Sequence, residues 1–240
     1  MRFGGHETFV VREGWLHKGL SLMNEDARRL TGPFAQDELG VGKNMAKSIR
    51  HWLAATGLAE RTGAATKGEQ PAFKPTALGR LVAERDPYFL LPGTWWMLHV
   101  NLVNSPGDAY TWWWFFNHFR RPRFERPVCQ EGLIRFVEMH ERRQPGRRTL
   151  QRDVSCLLAM YARTYPPAQS DPEDGNQSPF IELGLLSHFR ESGTFRRNTP
   201  ISESLPAELL GYTVSRCSNT GDDPAGYSDL TFRQCASVPG

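Results

Sequence analysis

The 240-residue chain has no long hydrophobic run, and its amino terminus, MRFGGHETF, carries no apolar stretch of signal-peptide type. Spanning a bilayer takes about eighteen or more consecutive apolar residues, so neither a membrane span nor a leader is expected and the chain reads as cytoplasmic. Cysteine is scarce: Cys129, Cys156, Cys217 and Cys235 are the whole complement, none in a C-x-x-C spacing. A disulfide framework and a zinc site are both unsupported, and reduced, mostly buried thiols are expected. Glycine-rich phosphate loops of the G-x-x-x-x-G-K-[ST] or G-x-G-x-x-G kind are absent, as is a G-x-S-x-G element. Nucleotide hydrolysis, dinucleotide chemistry and serine hydrolysis therefore lack their usual sequence marks.

What is present is a folded composition, 39% hydrophobic and 23% charged, with net charge +3. The small net charge hides an asymmetry. Residues 120 to 152 hold ten arginines against four glutamates, whereas residues 166 to 240 hold ten acidic and five basic residues. A cationic block gains affinity for nucleic acid by releasing counterions, although it also suits a merely solvated surface.

The pattern predicts a mainly α protein with small β-hairpins, a winged helix-turn-helix domain packed on a second, mostly helical domain. A strand-like entry over Glu7 to Val11 precedes a helix carrying Trp15, Leu16, Leu20, Leu22 and Met23. A short helix spans Phe34 to Leu39, and a longer one runs from Lys43 to about Thr56, closing at Gly57. Leu58 to Phe73 suits a hairpin with its tip near Gly63 to Gly68, and Thr76 is the expected N-cap of the next helix. The first domain covers residues 1–87. Residues 88–165 follow as an aromatic-rich helical domain whose tryptophans and phenylalanines are expected in the core. Within it, helices over 128 to 143 and 149 to 163, the latter capped by Thr149, repeat the helix-turn-helix idea. Residues 166–240 form a loop-rich carboxy-terminal region with a loop over Pro166 to Ser178, strand-like segments at Phe180 to Leu186 and Thr194 to Arg197, and a short helix around Pro206 to Val214.

On the helix from Lys43, at about 100° per residue, Met45, Ala46, Ile49, Trp52, Leu53 and Thr56 share one side, and Lys43, Asn44, Lys47, Ser48, Arg50 and His51 the other. Lysine, asparagine and arginine supply donors for phosphate oxygens and base edges, so this is a candidate recognition helix, with Lys67 and Lys74 adding contacts from the wing. Arg147, Arg148 and Arg152, opposite the stripe Leu150, Val154, Leu157, Leu158 and Tyr161, form a second candidate. An ordinary amphipathic surface helix has the same pattern in each case. Asp153 flanks the second stripe, where it can pair with Arg152 or Arg147. Metal-dependent strand cleavage needs clustered carboxylates, sometimes with a histidine. No local nuclease motif is present; His6-Glu7, beside Gly4-Gly5, is the one adjacent histidine–acid pair near a glycine turn.

Several phrases together resemble a bacterial family formerly of unknown function: Gly5 to Phe9 (GHETF), Leu39 to Met45 (LGVGKNM) with Ser48 to Arg50, Asp86 to Tyr88, Thr111-Trp112 with Trp114 to Asn117, and Thr149 to Asp153 with Cys156. The resemblance covers about Phe3 to Leu186 and is looser beyond. That family is the nickase component of single-strand DNA phosphorothioation (Ssp-type) systems, which act in phage defence. It implies a DNA nicking endonuclease using Mg²⁺ or another divalent cation, with double-stranded DNA, a cysteine desulfurase, an ATPase and a sulfur-transfer enzyme as partners. Carried over by position, it points to His6, Glu7 and Asp153 as catalytic candidates, Glu7 as metal ligand, and Lys43, Asn44, Arg50 and Arg152 on DNA. It also implies sequence beyond Gly240, so that the chain reads as truncated. The alternatives are a non-catalytic winged-helix DNA-binding adaptor and a transcriptional regulator.

Overall fold

The computed structural model describes residues 1–63, 72–142, 144–167 and 177–199, together with Leu209 and Tyr212. Helix α1 (Trp15–Glu25) buries Leu16, Leu20 and Met23 at helical spacing. After the short α2 (Ala35–Leu39), helix α3 (Lys43–Ala55) buries Ala46, Ile49, Trp52 and Leu53, and Gly57, at φ 73°, turns the chain out of it. An antiparallel hairpin follows, β1 (Ala59–Thr62) with β2 (Ala72–Pro75), Ala59 facing Pro75 and Thr62 facing Ala72. The expected tip of this hairpin, with Lys67, lies outside the described residues. Helix α4 (Ala77–Arg85) begins as expected: Thr76 Oγ1 accepts from Gly79 N at 3.0 Å, and its hydroxyl donates to Gly57 O at 2.6 Å.

The aromatic stretch folds into α5 (Pro92–Val103) and α6 (Tyr110–Asn117). Asp86 organises the approach to α5, its carboxylate accepting from Leu90 N, Leu91 N and Thr94 Oγ1. Trp96, Trp112, Trp114, Phe115, Phe116 and Phe119 are buried, as their density predicts. Their rings meet edge-on or offset, Phe115 against Phe119 at 5.5 Å and Trp114 against Phe119 at 5.2 Å, arrangements that add about 0.5–1.5 kcal/mol per pair beyond burial. One buried cluster runs from Val11 through these rings to Leu209, with α3 joined to α6 by Trp52 on Trp112 at 5.2 Å.

Beyond α6 come β3 (Arg123–Glu125), α7 (Arg126–His140), α8 (Arg147–Tyr161), β4 (Ala162–Tyr165), β5 (Leu186–Phe189) and β6 (Thr194–Arg197). The sheet order is β3-β6-β5-β4, antiparallel except for the parallel pair β4 and β5. Three expectations shift here. Helix α8 starts at Arg147 with Gly146 as its uncapped lead, so Thr149 lies inside the first turn. Ala162 and Arg163, assigned to that helix, begin β4, because Leu186 and Ser187 arrive as a partner strand. Pro179–Leu183 forms a tight 3-10 turn, with strand pairing beginning only at Leu186. Arg197 at the end of β6 donates to the carbonyls of Phe115, Phe116 and Phe119, closing the carboxy-terminal end of α6, and burial pulls its pKa down to about 10. Most of the segments expected over 166 to 178 and 206 to 214, and the tail with Cys217 and Cys235, lie outside the described residues; Cys129 and Cys156 are free buried thiols. No helix among the described residues is long and apolar enough to cross a membrane.

The tightest backbone approach is Gly79 on α4, where an added Cβ would lie 2.1 Å from Leu58 O. Backbone cannot rotate away as a side chain can, so Gly79→Ala is expected to lower the unfolding free energy by about 1–3 kcal/mol in urea titration. Gly107, with no heavy atom within 4 Å of its would-be Cβ, serves as the control, and Gly107→Ala should stay within about 0.5 kcal/mol of the parent.

Candidate nucleic-acid interface

The segment read as a strand entry is instead a coiled loop. Gly4, Glu7 and Thr8 all hold positive φ, 67°, 49° and 70°. For Glu7 and Thr8 this left-handed geometry costs about 1–2 kcal/mol each, and it persists only where surrounding bonds over-determine it. Those bonds come from His6 and Asp153. Thr8 N donates to His6 Nδ1 at 3.0 Å, so Nε2 carries the ring proton and donates to Asp153 Oδ1 at 2.9 Å. The same carboxylate accepts from Gly4 N at 3.0 Å and from Thr111 Oγ1 at 3.2 Å. Turn bonds Glu7 N to Gly4 O and Phe9 N to His6 O complete the loop. His6 and Asp153 are therefore brought together, 1% and 2% exposed, and their polar atoms are engaged inside the protein. Asp153 pairs with neither Arg152 nor Arg147.

The loop lies between two helices, α3 and α8. Towards α3, Phe9 O accepts from Trp52 Nε1 at 3.0 Å and from Ser48 Oγ at 3.5 Å, and Lys47 Nζ reaches Glu7 Oε1 at 3.5 Å. Towards α8, Gly4 N donates to Asp153, and a Cβ on Gly4 would stand 3.4 Å from the Thr149 methyl. The middle of α3 and the amino-terminal half of α8 thus flank one loop. On these two helices Lys43, Asn44, Arg147, Arg148 and Arg152 are exposed and Lys47 partly so. Among the described residues, Arg148 and Arg152 have no ion pair, while Arg147 bonds Glu131.

Not every expected cation faces outward. Arg50 is half-buried, donates from Nη1 to Leu30 O at 3.1 Å, and has its pKa lowered by burial, so it braces the α1–α2 connection. Ser48 and His51 are buried too, because the loop covers the flank of α3 that the helical wheel assigns to solvent. Lys74 is exposed but paired with Glu60 at 3.0 Å. Two cations close to the loop, Arg2 and Arg61, carry no local sequence signal. Arg61 arrives through β1 and is locked to Asp108 at 2.5 Å.

His51 is the unusual group. A Cβ on Gly5 would stand 2.6 Å from its Nδ1, so glycine is what admits the ring, and neither ring nitrogen has a partner among the described residues. Burial first, then the electrostatics of neighbouring His6, Arg2 and Arg61, push its pKa well below the usual imidazole value. A divalent cation needs several hard ligands. Among the described residues no three His, Cys, Asp or Glu side chains gather to hold one, and Glu7 has Lys47 beside it, so these residues do not by themselves form a magnesium site.

A family model described as "Protein of unknown function (DUF4007)" matches residues 3–238. No curated protein matches. Two solved structures are similar. A magnesium ion-bound SspB crystal structure is 30% identical with a TM-score of 0.79, the match covering 91% of this chain and 66% of that one. An SspB crystal structure is 30% identical with a TM-score of 0.76, covering 88% and 63%. The chain thus spans just under two thirds of the length of these SspB chains.

Removing the Asp153 carboxylate strands three buried donors. Asp153→Ala is expected to cost about 3–5 kcal/mol in urea unfolding, while Asp153→Asn, which keeps an acceptor for Gly4 and His6, costs well under half of that. A second measurement concerns His51. The unfolded chain protonates this ring near pH 6.5 and the folded chain resists, so stability is full above that pH and falls below it, by at most about 1.4 kcal/mol per pH unit. Unfolding free energies between pH 7.5 and 5 should show this slope, and His51→Gln should flatten it.

Proposed function

The chain belongs to the DUF4007 family, and from that footing we propose that it is a DNA-binding component of an Ssp-type phosphorothioation system, gripping duplex DNA with the paired amino-terminal halves of α3 and α8. The observation that carries this reading is that one loop, Gly4 to Phe9, is bonded both to α3, through Lys47, Ser48 and Trp52, and to α8, through Asp153, so that the two helices bearing exposed Lys43, Asn44, Arg148 and Arg152 meet at it. A winged-helix placement follows, in which α3 enters the major groove, Asn44 meets base edges, and the cations meet phosphates. The strained loop between the two helices would sit against the backbone between their contacts, with Glu7 as its outward acid. Similarity to an SspB structure is the reason for placing the chain in a phosphorothioation system, with the system's desulfurase, ATPase and sulfur-transfer enzyme as its partners.

Within that role, strand nicking with a divalent ion is favoured by the magnesium ion-bound state of one similar SspB structure. An adaptor that binds without cutting is favoured by the internal engagement of His6 and Asp153. Supercoiled plasmid incubated with the chain and Mg²⁺ or EDTA separates them. Open circles formed only with the metal, and lost in Glu7→Ala but also in the stable Asp153→Asn, mean nicking at this loop; a gel shift without open circles means an adaptor.

Binding itself has a direct test. Lys43→Ala combined with Arg148→Ala should weaken a labelled duplex roughly tenfold or more and shrink the salt dependence of log K by about 1.8, the share of two phosphate contacts. Arg50→Ala should instead lower stability. Unaltered affinity in the double variant across several salt concentrations would remove the proposed face.

A further inference from the structure

One turn along α3 from Lys47, beside the Gly4 to Phe9 loop, several polar nitrogens have nothing to bond. His51 is 4% exposed and bonds through neither ring nitrogen among the described residues. Arg61, on β1, spends Nη1 on Asp108 and leaves Nη2 buried and unbonded among them. Arg2 makes no ion pair among the described residues, and partial burial, then the charge of Arg61, lowers its pKa. Buried polar atoms in folded proteins are nearly all hydrogen-bonded, so nitrogens left over in one place are available to a ligand.

The three side chains come from three segments and gather at Gly5. A Cβ there would stand 2.6 Å from His51 Nδ1 and 3.0 Å from Arg2 Nε, so both nitrogens border one point, which glycine leaves unfilled. Arg61 faces Phe73 across the hairpin and lies over its ring at 5.7 Å, on the buried side, and its charge acts on both Arg2 and His51. Gly5 and Arg61 are partly exposed and Arg2 is exposed, so the cluster opens to solvent on the Arg2 side. Among the described residues Asp108 is the one carboxylate bonded to any of the three; Asp153 stands behind His6 with its oxygens filled by the loop and α6. Residues 64 to 71, which follow β1 and lie outside the described residues, carry Lys67 against Glu69 and so no net charge. Two guanidinium groups and an imidazole around one small opening suit a tetrahedral oxyanion, which offers an oxygen to each donor.

We infer that Arg2, Arg61 and His51 bind a phosphate group at Gly5. The site stands on this cluster alone; assigning its phosphate to the backbone of duplex DNA rests on the proposed duplex reading, whose Lys47 is the neighbour of His51 one turn back on α3. Inorganic phosphate offers the same oxygens, so the two sources are tested apart.

Urea unfolding of the full chain is followed in sodium phosphate and in sodium chloride of equal ionic strength, for the native chain and for Arg2→Ala, whose side chain is exposed. Phosphate should raise the native midpoint beyond chloride, because a ligand bound only by the folded state stabilises it, and Arg2→Ala should lose most of that excess. The general salting effect of phosphate acts on both chains alike, so the difference between them is the readout. Arg2→Lys, which keeps the charge but not the fork, should retain part of the excess, and Arg121→Ala, an exposed arginine between α6 and β3, all of it. A labelled blunt duplex is the second probe. If its phosphate occupies the site, Arg2→Ala weakens binding roughly fivefold at physiological salt and reduces the slope of log K against log salt by about 0.9. A phosphate excess that depends on Arg2, beside an unaltered duplex slope or no duplex binding at all, keeps the site and gives it to free phosphate; absent duplex binding removes the duplex reading and not this one. Arg2→Ala matching the native chain both in phosphate excess and in duplex slope overturns the inference.

Discussion

One buried carboxylate holds the proposed face together. Asp153, projecting from the second turn of α8, receives a backbone N–H from the amino-terminal loop, an imidazole N–H from His6 and a hydroxyl from α6. A carboxylate out of water is costly unless its lone pairs are filled, and here three donors fill them, two from the amino-terminal loop and one from α6. The two positive-φ side-chain residues of the loop are tolerable because this network gives the chain no other route. Through Phe9 the same loop then registers on Trp52 and Ser48 of α3. The loop thus ties the middle of α3 to the second turn of α8 through polar bonds, with the aromatic core beneath.

This arrangement bears on how the histidine and aspartate should be understood. Adjacent acids and histidines invite a catalytic reading, yet a pair that anchors a strained loop leaves the same mark in sequence. Of the loop's two ionisable side chains, Glu7 is the one that remains near solvent, and its partner Lys47 lies on the helix proposed to meet DNA. Chemistry at the loop would depend on Asp153 through the position of Glu7 and the backbone around it, so a defect on changing Asp153 is informative only beside a stability measurement.

What was legible in sequence was local. The bounds of α3, the Thr76 cap, the turn at Gly57 and the burial of the tryptophan-rich stretch follow from periodicity, capping chemistry and ring size, which act over a few residues. The failures share a different origin. Ser48, His51 and Arg50 look polar on a helical wheel, but a loop forty residues away in sequence, and Leu30, occupy that flank. Thr149 looks like a cap but lies inside the first turn of α8, which begins after Gly146. Ala162 and Arg163 continue the helical pattern until a distant strand captures them as β4. The meeting of α3 and α8 at one amino-terminal loop likewise exists only once non-local contacts are made.

The unbroken apolar cluster has a consequence for how such a protein can change over time. A reading head that ended at residue 87 with its own closed interior could be exchanged, as a cartridge, for one of different specificity. Here Trp52 of α3, the helix proposed to read DNA, is packed on Trp112, and Asn101 of α5 caps the end of that helix by donating to Thr56 O at 2.8 Å. On that proposal a new specificity would arise by altering exposed positions such as Lys43 and Asn44 one at a time, on a helix whose buried side is shared with the rest of the core.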